Sequence, residues 1–257
     1  MDDLSFAMEL ADLADSMSLV RFRDRELVVE SKPDLTPVTE VDRGVERAIR
    51  ERIARERHGE VVLGEEYGAE EGPVRWIVDP IDGTKSYVRG IPAWGTLIGL
   101  ERDGELVVGV ASAPALGRRW WATRGGGAFA DGRPIAVSRI GRLEDAQLCY
   151  TSFRAWEEAG LLEPFLALGR RCWRTRGFGD FWQYCLVAEG SAEIALEPSL
   201  APWDIAAVKV IVEEAGGTFT DLAGDPRFAA GSVVATNGLL HGEVLSSLAA
   251  GSERART

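Results

Sequence analysis

Trp76-Ile77-Val78-Asp79-Pro80-Ile81-Asp82-Gly83-Thr84 runs an apolar segment straight into an acidic turn. The first three residues have strand character and deliver Asp79 at the strand's C-terminal end. Pro80 has no N–H to give to a ladder, so the pairing is expected to stop there. Asp82-Gly83-Thr84 then resembles a helix start. Carboxylates three residues apart across such a turn can converge on one point, and the Ile81 carbonyl and Thr84 hydroxyl add further oxygens. The first amides of the turn, on Gly83 and Thr84, would face an anion, as helix N-termini do. A cation pocket beside an anion cradle is the arrangement that metal-assisted phosphoryl chemistry needs. The purely structural alternative makes Asp82 an N-cap and nothing more.

Three further acidic elements flank this one. Glu65 and Glu66 follow the apolar run Val61-Val62-Leu63, at a strand end where glutamates are ordinarily solvated. Beside a metal site, such a carboxylate can both ligate and take a proton from water. Asp204, in Trp203-Asp204-Ile205, precedes an apolar helix. It reads as an N-cap whose remaining lone pairs can reach a cation. Asp42, after Thr36-Pro37-Val38-Thr39-Glu40-Val41, opens another helix. Each is weak alone, whereas the four in this order form a pattern.

The rest of the chain restricts the chemistry that these acids can serve. In 257 residues there are 41 acidic and 29 basic side chains, a net charge of −12, which disfavours a nucleic-acid partner. No apolar stretch reaches the roughly 20 residues of a membrane span, and the acidic start Met1-Asp2-Asp3 is not that of a secretory signal, so a cytoplasmic location is expected. Cys149, Cys172 and Cys185 form no C-x-x-C pair and read as buried thiols, and His58 and His241 are the only histidines. Catalysis must therefore rest on carboxylates, hydroxyls and backbone, a donor set suited to hard cations such as Mg²⁺. Apolar spacing predicts helices over Leu4–Val20 and Val41–Arg57, the latter with Glu46, Arg47, Arg50, Glu51, Arg55 and Glu56 on a solvated face. Short apolar runs predict strands at 61–63, 75–78, 96–100, 106–110, 119–122 and 134–137, with a hairpin turn at Glu101-Arg102-Asp103-Gly104. Helices are expected at 155–168, 181–188 and 205–215 with a strand at 193–196, and a disordered tail at Ser252–Thr257. This pattern implies a layered α+β (α/β) protein, one domain over 1–257 with subdomains of about 1–140 and 141–257.

The combination resembles the inositol-monophosphatase family of Mg²⁺-dependent, lithium-sensitive phosphomonoesterases, between about Lys32 and Leu222. Asp79-Pro80-Ile81-Asp82-Gly83-Thr84 and Trp203-Asp204-Ile205-Ala206-Ala207, followed by Glu214-Ala215-Gly216-Gly217, carry the resemblance most specifically. It implies a five-layer α/β/α/β/α sandwich of the inositol monophosphatase and fructose-1,6-bisphosphatase type, assembled as a homodimer. It also implies roughly two or three Mg²⁺ ions, with Mn²⁺ as an alternative and Li⁺ as an inhibitor. Their ligands would be Glu65, Asp79, the Ile81 carbonyl, Asp82 and Asp204, with Asp42 near a third, weaker cation. Gly83 and Thr84 would hold phosphate, and Thr84 with Glu65 would polarise the attacking water, so that Glu65, Thr84 and Asp82 are the catalytic set. Lys85-Ser86-Tyr87-Val88-Arg89-Gly90-Ile91-Pro92-Ala93-Trp94 and the segment Gly179–Ala188 look closest to the family's histidinol-phosphate phosphatase branch. That substrate carries an amine and an imidazole, so Asp180 and Glu197 are placed to face them, and Trp94 or Trp182 to wall the imidazole.

Other phosphoryl chemistries fit less well. An aspartyl nucleophile uses D-x-D, whereas the spacing here is D-x-x-D, which would not put both acids on one side of a strand. A P-loop needs a glycine-rich run before Lys85, and the residues there are Asp79 to Thr84. Inositol 1-phosphate, fructose 1,6-bisphosphate and a 3′-phosphoadenosine nucleotide are the competing small phosphomonoester substrates. A catalytically silent regulatory protein of the same fold is the reading from another class, and the intact ligand set argues against it.

Overall fold

The structure, a computed structural model, describes residues 1–33, 35–69, 72–228 and 231–254. Helices α1 (Asp3–Arg21) and α2 (Glu40–Glu56) bracket a small hairpin of β1 (Val29–Ser31) and β2 (Pro37–Thr39). There follow β3 (Val61–Gly64), β4 (Gly68–Ala69), β5 (Val74–Asp82), the short α3 (Thr84–Val88), β6 (Gly95–Arg102), β7 (Glu105–Ala113), β8 (Arg118–Thr123), β9 (Gly127–Ala130) and β10 (Arg133–Ile135). Strands β3 to β10 form one sheet in the order β10-β9-β8-β7-β6-β5-β3-β4, antiparallel except for the β3–β5 pair.

The second half comprises β11 (Gln147–Tyr150), α4 (Phe153–Glu158), α5 (Leu162–Arg171), β12 (Arg174–Arg176), α6 (Asp180–Ala188), β13 (Ile194–Leu200), α7 (Pro202–Glu214), β14 (Thr218–Thr220), β15 (Gly231–Thr236) and α8 (His241–Arg254). Its sheet has the order β12-β11-β13-β15-β14. α1 and α2 cover one face of the first sheet, and α6 and α7 lie between the two sheets. α4, α5 and α8 close the far face of the second sheet. The layers therefore run α/β/α/β/α.

Alternation along the strands explains why their sequences are apolar on both sides. Trp76, Val78, Ile98, Leu100, Val108 and Val110 point into the core under α1 and α2. Their neighbours Ile77, Leu97, Ala111 and Trp120 point into the core around α6 and α7. A sheet buried on both faces needs continuous rather than alternating hydrophobicity, and each such aliphatic side chain contributes about 1.5–3 kcal/mol.

Strands β1, β2, β4, β9, β11, β12 and β15 are not among those expected, and four expected features differ. β5 does not stop at Pro80: pairing resumes at Asp82 with Gly95, after an irregularity between Asp79 and Asp82. The missing proline donor falls inside that irregularity, where the Thr96 hydroxyl donates to the Pro80 carbonyl at 2.8 Å. The single helix expected over 155–168 is two, broken at Gly160, which takes φ +70°. Ser252, Glu253 and Arg254 belong to α8 rather than to a disordered tail, while 255–257 lie outside the described residues. Glu46, expected on a solvated face, is wholly buried.

Candidate active site

In a regular strand, residues three apart face opposite ways, so Asp79 and Asp82 would diverge. The irregularity in β5 turns them together. Asp204 joins them from the first turn of α7, three residues past the N-cap Ala201, whose amide donates to Asp204 Oδ2 at 2.8 Å. One carboxylate oxygen from each of Asp79, Asp82 and Asp204 lies within 4.8 Å of the other two. Backbone amides fix the orientation of the acids: Ile81 N–H donates to Asp79 Oδ1 at 3.0 Å, and Phe181 N–H at the start of α6 donates to Asp82 Oδ2. Asp82 is therefore not an N-cap; that position on α3 belongs to Gly83.

Burial dominates the electrostatics. Asp79 is held well above the ordinary carboxylate range first by desolvation, then by the charges of Glu65, Asp82, Asp204 and Asp42. Asp82 is raised by desolvation and by Asp180 and Asp204, against the lowering effect of the Phe181 amide. Asp204 is pushed up to about 6, again chiefly by burial. Among the described residues no basic side chain pairs with any of the three. An all-oxygen, unneutralised, buried set of this kind fits a hard divalent cation, whose charge would reverse the local field.

The surrounding acids are held from several elements. Glu65 and Glu66, just past β3, share Lys32 Nζ at 2.6 and 2.5 Å. Glu46 of α2 accepts the amides of Glu66 at 2.7 Å and Tyr67 at 3.2 Å, and pairs with Arg50 at 2.8 Å. This grip depends on Gly64, where a Cβ would lie 2.0 Å from Glu46 Oε1. Asp42 forms a capping box with Thr39 on α2 and accepts the Thr84 hydroxyl at 3.2 Å. That hydroxyl also lies 2.9 Å from the Ile81 carbonyl, so its recorded partners are Asp42 and Ile81 rather than Glu65. Gly83 sits at φ +84°, with the first bonds of α3 returning to its carbonyl from Ser86 and Tyr87, so the amides of Gly83 and Thr84 precede the helix's own ladder.

Lys32, Glu65, Asp79, Asp82, Thr84 and Asp204 line a cleft of ≈ 440 Å³ together with Lys85, Asp180 and Trp203. A second lobe of ≈ 600 Å³ shares Asp82, Asp180 and Asp204 and is lined further by Thr151, Gln183 and Glu197. Both volumes suit a small ligand. Asp180 adopts φ +50° and is raised to about 6 by burial, with Lys85 opposing. Glu197 is raised to about 8 by burial, against the lowering effect of Gln183. Three expected residues do not line the cleft. Asp42 is buried behind it and reaches it only through the Thr84 hydroxyl. Trp94 is wholly buried in the first core, against Phe22 and Tyr87 at ring-centroid distances of 5.3 and 4.8 Å. Trp182 packs on Phe178, 5.0 Å away, and against the central core, as one α6 neighbour must when Gln183 faces the lobe. Sequence reading passed over Lys32, Glu46, Thr151 and Gln183. Glu46 had a usable signal, because it shares the helical stripe of Asp42, Ile49 and Ile53.

The chain matches the sequence profile of the inositol monophosphatase family over residues 2–253. It is 52% identical to a histidinol-phosphatase of Mycobacterium tuberculosis over 97% of this chain and 99% of that protein. A histidinol-phosphatase of Streptomyces coelicolor is 51% identical, over 96% of this chain and 97% of its own. Among solved structures, the Thermotoga maritima IMPase superposes with a TM-score of 0.90 at 30% identity, over 99% of this chain and all of that one. By profile, by full-length identity and by the order of its layers, this chain belongs to the inositol monophosphatase family.

Proposed function

We propose that this chain is a Mg²⁺-dependent phosphomonoesterase that converts histidinol phosphate and water into histidinol and inorganic phosphate. The observation that carries the reading is the acid-lined lobe, Asp180 and Glu197, abutting the carboxylate cluster. A leaving group with an ammonium and an imidazole N–H matches that lobe better than a neutral polyol does. The full-length likeness to histidinol-phosphatases supports the same choice.

Asp79, Asp82, Asp204, Glu65 and the Ile81 carbonyl would hold the cations, with Asp42 at the edge. When bound, the cations supply positive charge that neutralises the phosphoryl oxygens and acidifies a neighbouring water. The chain's own groups do the rest. Gly83 and Thr84 amides donate to phosphate oxygens. The single proton of Thr84 Oγ1 is held between the Ile81 carbonyl at 2.9 Å and Asp42 at 3.2 Å, which leaves a lone pair to accept from a water in the cleft and orient it on phosphorus; with the Ile81 carbonyl engaged by a cation, the proton would pass to Asp42. The water oxygen forms a new P–O bond in line, the ester P–O bond breaks with its electron pair on the histidinol oxygen, and that oxygen takes a proton. In net, one water supplies oxygen to phosphate and a proton to the alcohol. Glu197 and Asp180 accept hydrogen bonds from the leaving group's nitrogens.

The proposal extends to inhibition by Li⁺ at about millimolar concentration through competition for one cation position, to a homodimer in the cytoplasm, and to one domain whose two sheets form its subdomains. The net charge of −12 speaks against nucleic-acid partners. The test is phosphate release by chelator-stripped protein reloaded with Mg²⁺, using histidinol phosphate, inositol 1-phosphate, fructose 1,6-bisphosphate and a 3′-phosphoadenosine nucleotide side by side. Histidinol phosphate is expected to lead by about tenfold or more in kcat/KM. A lead of only a few-fold, or none, would defeat the substrate assignment, and no phosphate release from any ester would favour the silent regulatory alternative.

A further inference from the structure

Glu197 stands on β13, and both of its recorded side-chain donors reach the same oxygen. Gln183 Nε2, from α6, donates to Glu197 Oε1 at 2.9 Å, and the Thr151 hydroxyl, from the loop after β11, donates to it as well. The Gln183 side chain is oriented by chemistry: its amide nitrogen must face the carboxylate, because its oxygen there would meet another acceptor. Gln183 is wholly buried, its Oε1 has no partner among the described residues, and besides Glu197 its amide acts only on the neighbouring Tyr184 hydroxyl. Three elements thus meet on one carboxylate oxygen at the wall of the second lobe. Two neutral donors hold this carboxyl without supplying a counter-charge, so the ionised form that burial disfavours in the free chain is stabilised when a cationic group arrives.

We infer that Gln183 and Thr151 are positioning residues that clamp Glu197 through Oε1, so that its carboxyl is held toward a cationic nitrogen of the leaving group, and that this clamp sets preference for amine-bearing phosphomonoesters over neutral ones. The inference rests on the proposed substrate reading and adds to it the two residues that make Glu197 selective. The clamp makes no hydrogen bond to Asp79, Asp82 or Asp204, and the one further bond of Thr151 Oγ1 is accepted from the Asp180 amide at 3.4 Å, on the leaving-group side, so its effect belongs in KM for the amine-bearing ester.

The test compares histidinol phosphate with glycerol 2-phosphate, a neutral-alcohol ester, in the Mg²⁺-loaded full chain. Measured variants are Gln183→Leu, Thr151→Val and the hydroxyl-retaining Thr151→Ser. Because the Thr151 side chain lies at the wall and Gln183 in the interior, Thr151→Val keeps the test decisive should Gln183→Leu fail to fold. Gln183→Leu and Thr151→Val are expected to lower kcat/KM for histidinol phosphate by roughly tenfold, mostly through KM, and that for glycerol 2-phosphate by roughly twofold. Thr151→Ser is expected to restore most of the loss. Equal losses on both esters, or a Thr151→Val enzyme with unaltered preference, would overturn the clamp while leaving the substrate assignment intact. A wild-type enzyme with no preference for histidinol phosphate would instead overturn the substrate assignment, and the clamp with it.

Discussion

Exchanging Asp82 for Asn deletes one charge from a crowded, desolvated cluster and leaves an oxygen to accept the Phe181 amide. The substitution should therefore separate chemistry from folding. Phosphate release from Asp82→Asn is expected to drop by about a thousandfold or more, while its metal-free melting temperature holds or rises because one raised acid no longer has to be buried. Near-normal turnover would remove Asp82 from the proposed catalytic set. Gly64 offers the complementary case, where folding rather than charge is at stake. A methyl group there would meet Glu46 Oε1 at 2.0 Å, dislodging the carboxylate that holds the amides of Glu66 and Tyr67. Gly64→Ala is expected to cost about 1–3 kcal/mol in urea unfolding, and an unaltered midpoint would contradict the packing described. At this scale the carboxylates were legible through their combination, since an acid at one strand or helix end is commonplace but four such elements in this order are not. Glu46 and Trp94 were not. A glutamate among charged neighbours reads as solvated until its backbone partners, some twenty residues away, are known, and a tryptophan beside a motif gives no hint of which side of the chain it takes.

The long helices and the strands β3, β5, β6, β7 and β8 could be read from their apolar runs because the first sheet buries two faces, whereas β11, β12 and β15 of the second sheet gave too short a signal. What periodicity could not supply is how closely layers approach. The central helix α7 lies directly on the first sheet, where a Cβ on Gly109 of β7 would come 2.3 Å from the Ala207 carbonyl and one on Gly99 of β6 would come 2.7 Å from the Ala206 methyl. These glycines have ordinary φ values; they are required by contact, not by conformation. Since α7 carries Asp204 in its first turn, the seating of the helix on β6 and β7 sets the distance between Asp204 and the acids of β5. Gly109→Ala is expected to lower unfolding stability by about 1–3 kcal/mol and also to weaken Mg²⁺ binding measured by calorimetry. Destabilisation with unaltered Mg²⁺ affinity would show that α7 yields elsewhere along its length. The β5 irregularity belongs to the same scale: Pro80 foretold a break in the ladder, but its repair at Asp82 depends on Gly95 and Thr96 of a strand that local sequence does not bring into view.

Across the whole molecule, the acids converge from α2, β5, α6, β13 and α7, so folding itself creates the repulsion that a cation relieves. Asp180 and Asp204, ordinarily near 3.8, are raised to about 6 in the folded chain, and Glu197, ordinarily near 4.5, to about 8. The folded state therefore holds more protons than the unfolded state between those limits. The stability these groups contribute is complete below their unfolded values and is lost as pH rises through about 6 and then about 8. A divalent cation needs the ionised acids and competes with their protons. Its stabilising effect must then grow as pH rises through about 6, where Asp204 ionises, and on through the raised range of Asp79 and Asp82, while Glu197 and Asp180 add nearby negative charge rather than ligand oxygens. Thermal melts with and without saturating Mg²⁺ check this: the Mg²⁺-induced rise in melting temperature is expected to be small near pH 5 and to increase to several degrees by about pH 8. In Asp82→Asn the increase should be much reduced, since one of the converging charges is gone. A shift that stays flat with pH, or shrinks as pH rises, would mean that the cation is not held by these buried carboxylates.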